Sequence, residues 1–181
     1  PMVRAQREDV PEATRESWWQ RTAVECVDAL RERRVSPRTL LDVAVDRVKA
    51  TDGAINATPI LCLDRAQQRI AEFEATGGAP GPLYGLPVLV KETQSLRGVR
   101  WTSGQPLHAH RMGGSTDPCI AAVEAAGGVV FGKTNVPEGA AGSHSFNPIF
   151  GTTANPFDTS LSAGGSTGGG AAALAVGQCW L

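Results

Sequence analysis

The sequence predicts an α/β fold, with helices first and short strands after them. Three observations carry this reading. Apolar residues over roughly the first fifty positions recur at helical spacing. Two apolar runs in the second half, Gly85–Glu92 and Val129-Val130-Phe131, have the length and character of buried strands. Glycine, 21 of 181 residues, concentrates in that same half, where tight turns must join the elements.

Taken in order, Trp18–Arg34 carries apolar residues at Trp19, Ala23, Cys26, Val27 and Leu30 and reads as a first helix. Ser36-Pro37 restarts the chain, with Ser as N-cap and Pro at the first helical position. Leu40, Leu41, Ala44, Val45 and Val48 form the apolar stripe of a second helix, which Thr51-Asp52-Gly53 is expected to end. Ile60–Leu63 reads as a strand entering a third helix over Asp64–Ala75, and Gly77–Pro82 as a loop. Gly85–Glu92 is a strand that ends in Lys91. Pro118–Ala126 is a helix with Asp117 as N-cap, followed by the Val129–Phe131 strand. Asn155–Ala163 is polar and turn-like. No internal repeat is evident.

Composition sets mild bounds. Lys plus Arg is 17 against 18 Asp plus Glu, so the net charge is −1 and gives no electrostatic reason to expect nucleic acid or an anionic membrane as partner. Cys26, Cys62, Cys119 and Cys179 are far apart with no C-x-x-C pair, and all four are expected to be reduced and packed in a cytoplasmic protein. The start of the chain is polar and charged, unlike a signal peptide, and no apolar run reaches the ~18 residues of a membrane span. Residues 1–181 are read as a single domain with an N-terminal extension over 1–18, in which Pro1-Met2 resembles a cloning remnant. The apolar ending Cys179-Trp180-Leu181 suggests a chain that was cut or continues, since natural ends usually lie in solvent.

The most informative stretch is Gly164-Gly165-Ser166-Thr167-Gly168-Gly169-Gly170, followed by the small apolar run Ala171–Val176. A helix starting just after these glycines would aim its free N–H groups and positive dipole end at the loop, which suits an anion or a developing oxyanion. Lys91 is the second feature. A lysine at the end of a buried strand either snorkels to water or is desolvated, and a desolvated lysine loses its charge and becomes a competent general base. The strand alone leaves both open. Glu92 falls on the opposite face and is not the obvious partner of Lys91.

Two familiar motifs fail on context. Gly127–Thr134 matches the phosphate-binding pattern G-x-x-x-x-G-K-T, but a helix precedes it, Val-Val-Phe makes a strand where an open loop is needed, and Asn135-Val136-Pro137 interrupts any following helix. Gly164–Gly168 matches the nucleophile elbow G-x-S-x-G, but no hydrophobic strand runs into Ser166, and neither Asp nor His follows it. His108 and His110 have no zinc-site spacing. His144 is read as a surface or hydrogen-bonding residue. Trp18 and Trp19 are read as packing residues, and Trp101, Thr102 and Ser103 are expected to border the site.

Gly85–Glu92, Gly132-Lys133-Thr134-Asn135-Val136-Pro137-Glu138, Asn155-Pro156-Phe157 and Gly164–Gly169 together resemble the amidase signature family, in that family's order, from roughly Trp19 to Leu181. The resemblance implies a central mixed β-sheet flanked by helices, truncated relative to the longer family members. It implies hydrolysis of a carboxylic amide by a Ser–cis-Ser–Lys triad, with Lys91 as base and Ser166 as the bridging serine whose peptide bond is cis. No metal or organic cofactor is implied. The family's nucleophilic serine lies in a D-x-G-G-S-type segment further along, and the fifteen residues after Ser166 contain no serine, so the nucleophile and oxyanion hole are expected beyond Leu181 and the 181-residue chain alone is expected to be inactive. Ala140 matches a position that lines the acyl pocket of some members through its backbone, an assignment set against plain tight packing. Thr167 replaces the second serine of the family's glycine loop, keeps a hydroxyl, and is grouped with Ala140 as substrate-binding. The implied partner is a small-molecule amide, without nucleic acid or membrane. A homodimer, or a second chain carrying the remaining sequence, is compatible with this. Two alternatives stand beside the main reading: the glutamine-hydrolysing component of a tRNA-dependent amidotransferase, and a non-catalytic remnant of the scaffold.

Overall fold

The computed structural model describes residues 15–77 and 81–181. Pro1-Met2, most of the expected 1–18 extension and the 78–80 part of the glycine loop lie outside them. The expected first helix is two pieces, a 3-10 turn over Arg15–Gln20 and α1 over Ala23–Arg31. The cause is local. Thr22 and Glu25 form a reciprocal capping box, the Thr22 hydroxyl taking the Glu25 N–H and the Glu25 carboxylate taking the Thr22 N–H at 2.7 Å. That cap starts a new helix after Trp19.

Helix α2 (Pro37–Ile55) begins as the sequence predicts, the Ser36 hydroxyl accepting the Thr39 N–H at 3.0 Å with Pro37 at the first position. It runs past Thr51-Asp52-Gly53. The Asp52 carboxylate serves the segment after the helix instead, accepting the amides of Ala57 and Thr58, and left-handed Asn56 (φ 55°) makes the stop. Ser36→Ala is expected to lower stability by about 1 kcal/mol. A urea midpoint equal to that of the wild type would show that the cap contributes nothing.

Strand β1 (Ile60–Leu61) leads into α3 (Leu63–Thr76), which ends at left-handed Gly77. Strand β2 is Pro87–Lys91 and β3 is Val129–Thr134, with α4 (Pro118–Ala125) between them. These three strands form a mixed sheet in the order β1-β3-β2, β1 antiparallel and β2 parallel to β3. Two short hairpins follow: β4 (Phe146–Asn147) with β5 (Gly151–Thr152), and β6 (Ala154–Asn155) with β7 (Asp158–Ser162). The second corrects the turn-like reading of Asn155–Ala163. Its side chains are mostly exposed, so no apolar alternation marks it in the sequence. Helix α5 (Gly168–Ala175) starts inside the glycine run.

The sheet separates two apolar clusters. Leu89, Val129 and Phe131 join Leu40, Leu41 and Ile70 and the buried alanines of α5 on one side, while Val88, Val90 and Val130 pack with Leu96, Val99 and Ile120 on the other. Trp18 is buried in the larger cluster and Trp19 packs beside it, with the Arg47 guanidinium 4.1 Å above the Trp19 ring. All four cysteines are free. Cys26 and Cys179 are buried, and their thiols are pushed up to about 12 by desolvation, so they are inert packing groups. Cys119 is exposed, against the expectation that all four are packed, because it sits at the second position of α4 on the solvent side. Among the described residues no helix is long and apolar enough to cross a membrane.

Candidate active site

Side chains alternate along β2, so Lys91 follows Leu89 to the face covered by α2 and α5, while Glu92 turns to the other. There the Lys91 Nζ lies 2.9 Å from Ser166 Oγ and 3.1 Å from Thr167 Oγ1. The amine is partly buried, and desolvation lowers its pKa from the ordinary lysine value. The positive end of the α5 dipole, which begins two residues past Ser166, further disfavours a charge at this place. The peptide bond between Gly165 and Ser166 is cis, matching the expectation for this position.

The glycine run permits close contact rather than open space. A Cβ on Gly169 would strike the backbone of Asn135, and one on Gly165 would lie 3.0 Å from His144 N. Asn135 is itself fully buried. Its side chain donates to Gly151 O and Thr153 Oγ1 and accepts from Asn147 Nδ2, tying the end of β3 to the first hairpin. The far end of α5 is held by Arg47, which donates twice to Val176 O, a cation at a helix C-terminus.

Behind the sheet lies a group that sequence reasoning misses. Lys133 and Glu92 are both fully buried, Nζ standing 3.9 Å from Oε1. Lys133 also donates to Arg100 O at 2.8 Å, and Glu92 Oε1 accepts the Thr102 N–H. Glu92 Oε2 has no hydrogen-bond partner among the described residues. The lysine of the false phosphate-binding motif is thus a buried brace of the 92–102 loop. No local signal marks the pairing, because Lys133 lies on β3 and Glu92 just past the end of neighbouring β2, forty-one positions earlier.

Burial pushes Lys133 down to about 8, only partly opposed by Glu92. Between about 8 and the unfolded value of 10.5 the unfolded chain holds this proton and the folded chain does not, so this residue's contribution to stability rises with pH. The stability of wild type relative to Lys133→Met is expected to rise by on the order of 3 kcal/mol across that window. Urea unfolding at a series of pH values checks it, and a difference that stays flat would mean that Lys133 titrates as an ordinary lysine.

The other sequence-marked residues fall as follows. Ala140 ends a short 3-10 turn (Glu138–Ala140) with φ 58°, beside Gly139 at φ 63°. Thr167 is on Lys91 rather than pointing away from it. Trp101 Nε1 donates to Thr93 O, the Thr102 N–H goes to Glu92, and Arg111 stacks on Trp101. None of Trp101, Thr102 and Ser103 bonds to Lys91 or Ser166 among the described residues. His144 is exposed.

A partly desolvated strand-end lysine held against a serine in a glycine loop can exchange a proton with that hydroxyl, and comparison with known proteins shows the family. The Amidase family profile matches residues 39–181, and the chain belongs to that family. It is 37% identical over 153 residues to the A component of a glutamyl-tRNA(Gln) amidotransferase of Synechococcus sp. (strain CC9605), covering 83% of this chain and 31% of the relative. It is 31% identical over 163 residues to an indoleacetamide hydrolase of Bradyrhizobium diazoefficiens, covering 88% of this chain and 31% of that protein. Among solved structures, a 6-aminohexanoate cyclic dimer hydrolase complexed with substrate superposes with a TM-score of 0.81 at 28% identity, over 90% of this chain and 33% of the other. The chain therefore spans about a third of the length of these relatives.

Proposed function

We propose that the complete protein containing this chain hydrolyses a carboxylic amide to a carboxylate and an amine or ammonia. The observation that carries the reading is the 2.9 Å contact between Lys91 Nζ and Ser166 Oγ at a partly desolvated amine. Neutral Lys91 accepts the proton of the Ser166 hydroxyl. Ser166 takes one in turn from a nucleophilic serine located beyond Leu181, whose oxygen then bonds to the amide carbon. The same route returns a proton to the departing nitrogen as the C–N bond breaks, leaving an acyl-enzyme for water to cleave. Thr167 offers its hydroxyl to the base, and Ala140 is assigned to the acyl group through its backbone, as the family resemblance implies.

Turnover of a panel of simple primary and aryl amides tests this, together with labelling by a fluorophosphonate serine probe. Hydrolysis with probe labelling is the expected result. Neither turnover nor labelling in the folded complete protein would favour the scaffold-remnant reading. The 37% identity to the A component of an amidotransferase supports a second reading, in which the amide is glutamine and the released ammonia passes to a partner-bound substrate. Glutamine hydrolysis that requires co-purifying partner chains would select it, whereas free-standing turnover of simple amides would oppose it.

A further inference from the structure

Thr167 stands at the N-cap of α5, yet its hydroxyl caps nothing, because it faces Lys91 Nζ. A helix start needs acceptors for its first amides, and the N-cap side chain usually provides one. Here the acceptor comes from 23 positions earlier: the Gly168 N–H donates to Ser145 Oγ at 3.1 Å. Ser145 is fully buried. It also holds the opposite end of the loop, its own N–H donating to Gly164 O at 2.8 Å, while its carbonyl accepts the Thr153 N–H at 2.8 Å. One residue thus grips Gly164 and Gly168, with Ser166 midway between. Contact is close along the whole segment, since Gly165 rests on the backbone of Ser143 and His144 and a Cβ on Gly168 would meet the Ser145 hydroxyl.

A neutral lysine has two N–H bonds and one lone pair. With one N–H directed to Thr167 Oγ1, the lone pair is left for the Ser166 hydroxyl. Gly168 carries the first amide of α5, whereas an N-cap side chain accepts from the second or third, so Ser145 is a remote cap for a donor that Thr167 does not reach. We propose that Ser145 is a positioning residue for the Lys91–Ser166 pair, holding the loop at Gly164 and Gly168 on either side of Ser166 so that its hydroxyl stays on the amine.

This rests on the amidase reading, and the test separates the two. In the complete protein, Ser145→Ala is expected to lower kcat about tenfold or more with KM within about twofold, measured per active site by probe titration. Lys91→Met is measured beside it. An inactive Lys91→Met with a Ser145→Ala variant that keeps full kcat, and loses only thermal stability, would overturn the role of Ser145 and leave the amidase reading standing. A fully active Lys91→Met would overturn both. Should Ser145→Ala not fold, amide hydrogen exchange on the unaltered complete protein decides: protection of the Gly168 N–H supports the remote cap, and exchange at the free-peptide rate removes it.

Discussion

Lys91→Ala is expected to lower kcat/KM of the complete enzyme by roughly a thousandfold, within the range that a positioned general base contributes. The substitution removes the only amine within hydrogen-bonding distance of Ser166 among the described residues, so no other group there can take its proton. Folding should survive, because the two hydrogen bonds of the partly buried amine go to the glycine loop. Desolvation lowers the Lys91 pKa, so the reactive neutral amine accumulates as pH rises, and kcat/KM should climb with pH to a plateau reached below the ordinary lysine value. The residual rate of Lys91→Ala should lack that rise. Steady-state kinetics over a pH series checks both statements, and a variant with near-normal rate would remove Lys91 from the mechanism.

Ser166→Ala is expected to slow acylation by roughly a hundredfold to a thousandfold while leaving substrate affinity almost unchanged, since the loss falls on proton movement in the transition state. Lys91 would keep its contact with Thr167 and remain desolvated, but the hydroxyl that joins it to the nucleophile would be gone. Single-turnover experiments should show the acylation burst slowed in step with kcat. An unchanged burst would mean that Lys91 reaches the nucleophile without Ser166.

Signals that act within a few residues were legible in the sequence. The Ser36-Pro37 start of α2, the Val129–Phe131 run of β3 and Lys91 at the end of β2 all stand where local chemistry predicts. The glycine loop and the helix after it follow from the same kind of signal. The start of α1 was legible too, in the Thr22-x-x-Glu25 pattern, but the apolar spacing continues through Trp19 and masks it. What could not be read depends on pairing across the fold. Lys133 meets Glu92 only because β3 lies beside β2. Ser145 meets Gly168 only because the segment before the hairpins folds back on the loop. The β6–β7 hairpin is built from exposed polar residues, and backbone hydrogen bonds rather than apolar periodicity define it.

The most direct measurement is the titration of Lys91 itself, followed through its 13Cε resonance in lysine-labelled protein and assigned with Lys91→Arg. The expected midpoint lies below the ordinary lysine value of 10.5, as befits an amine drawn out of water and set against two hydroxyls. A midpoint at or above 10.5 would mean a solvated, protonated ammonium at the centre of the site, and the proton route through Ser166 would not exist.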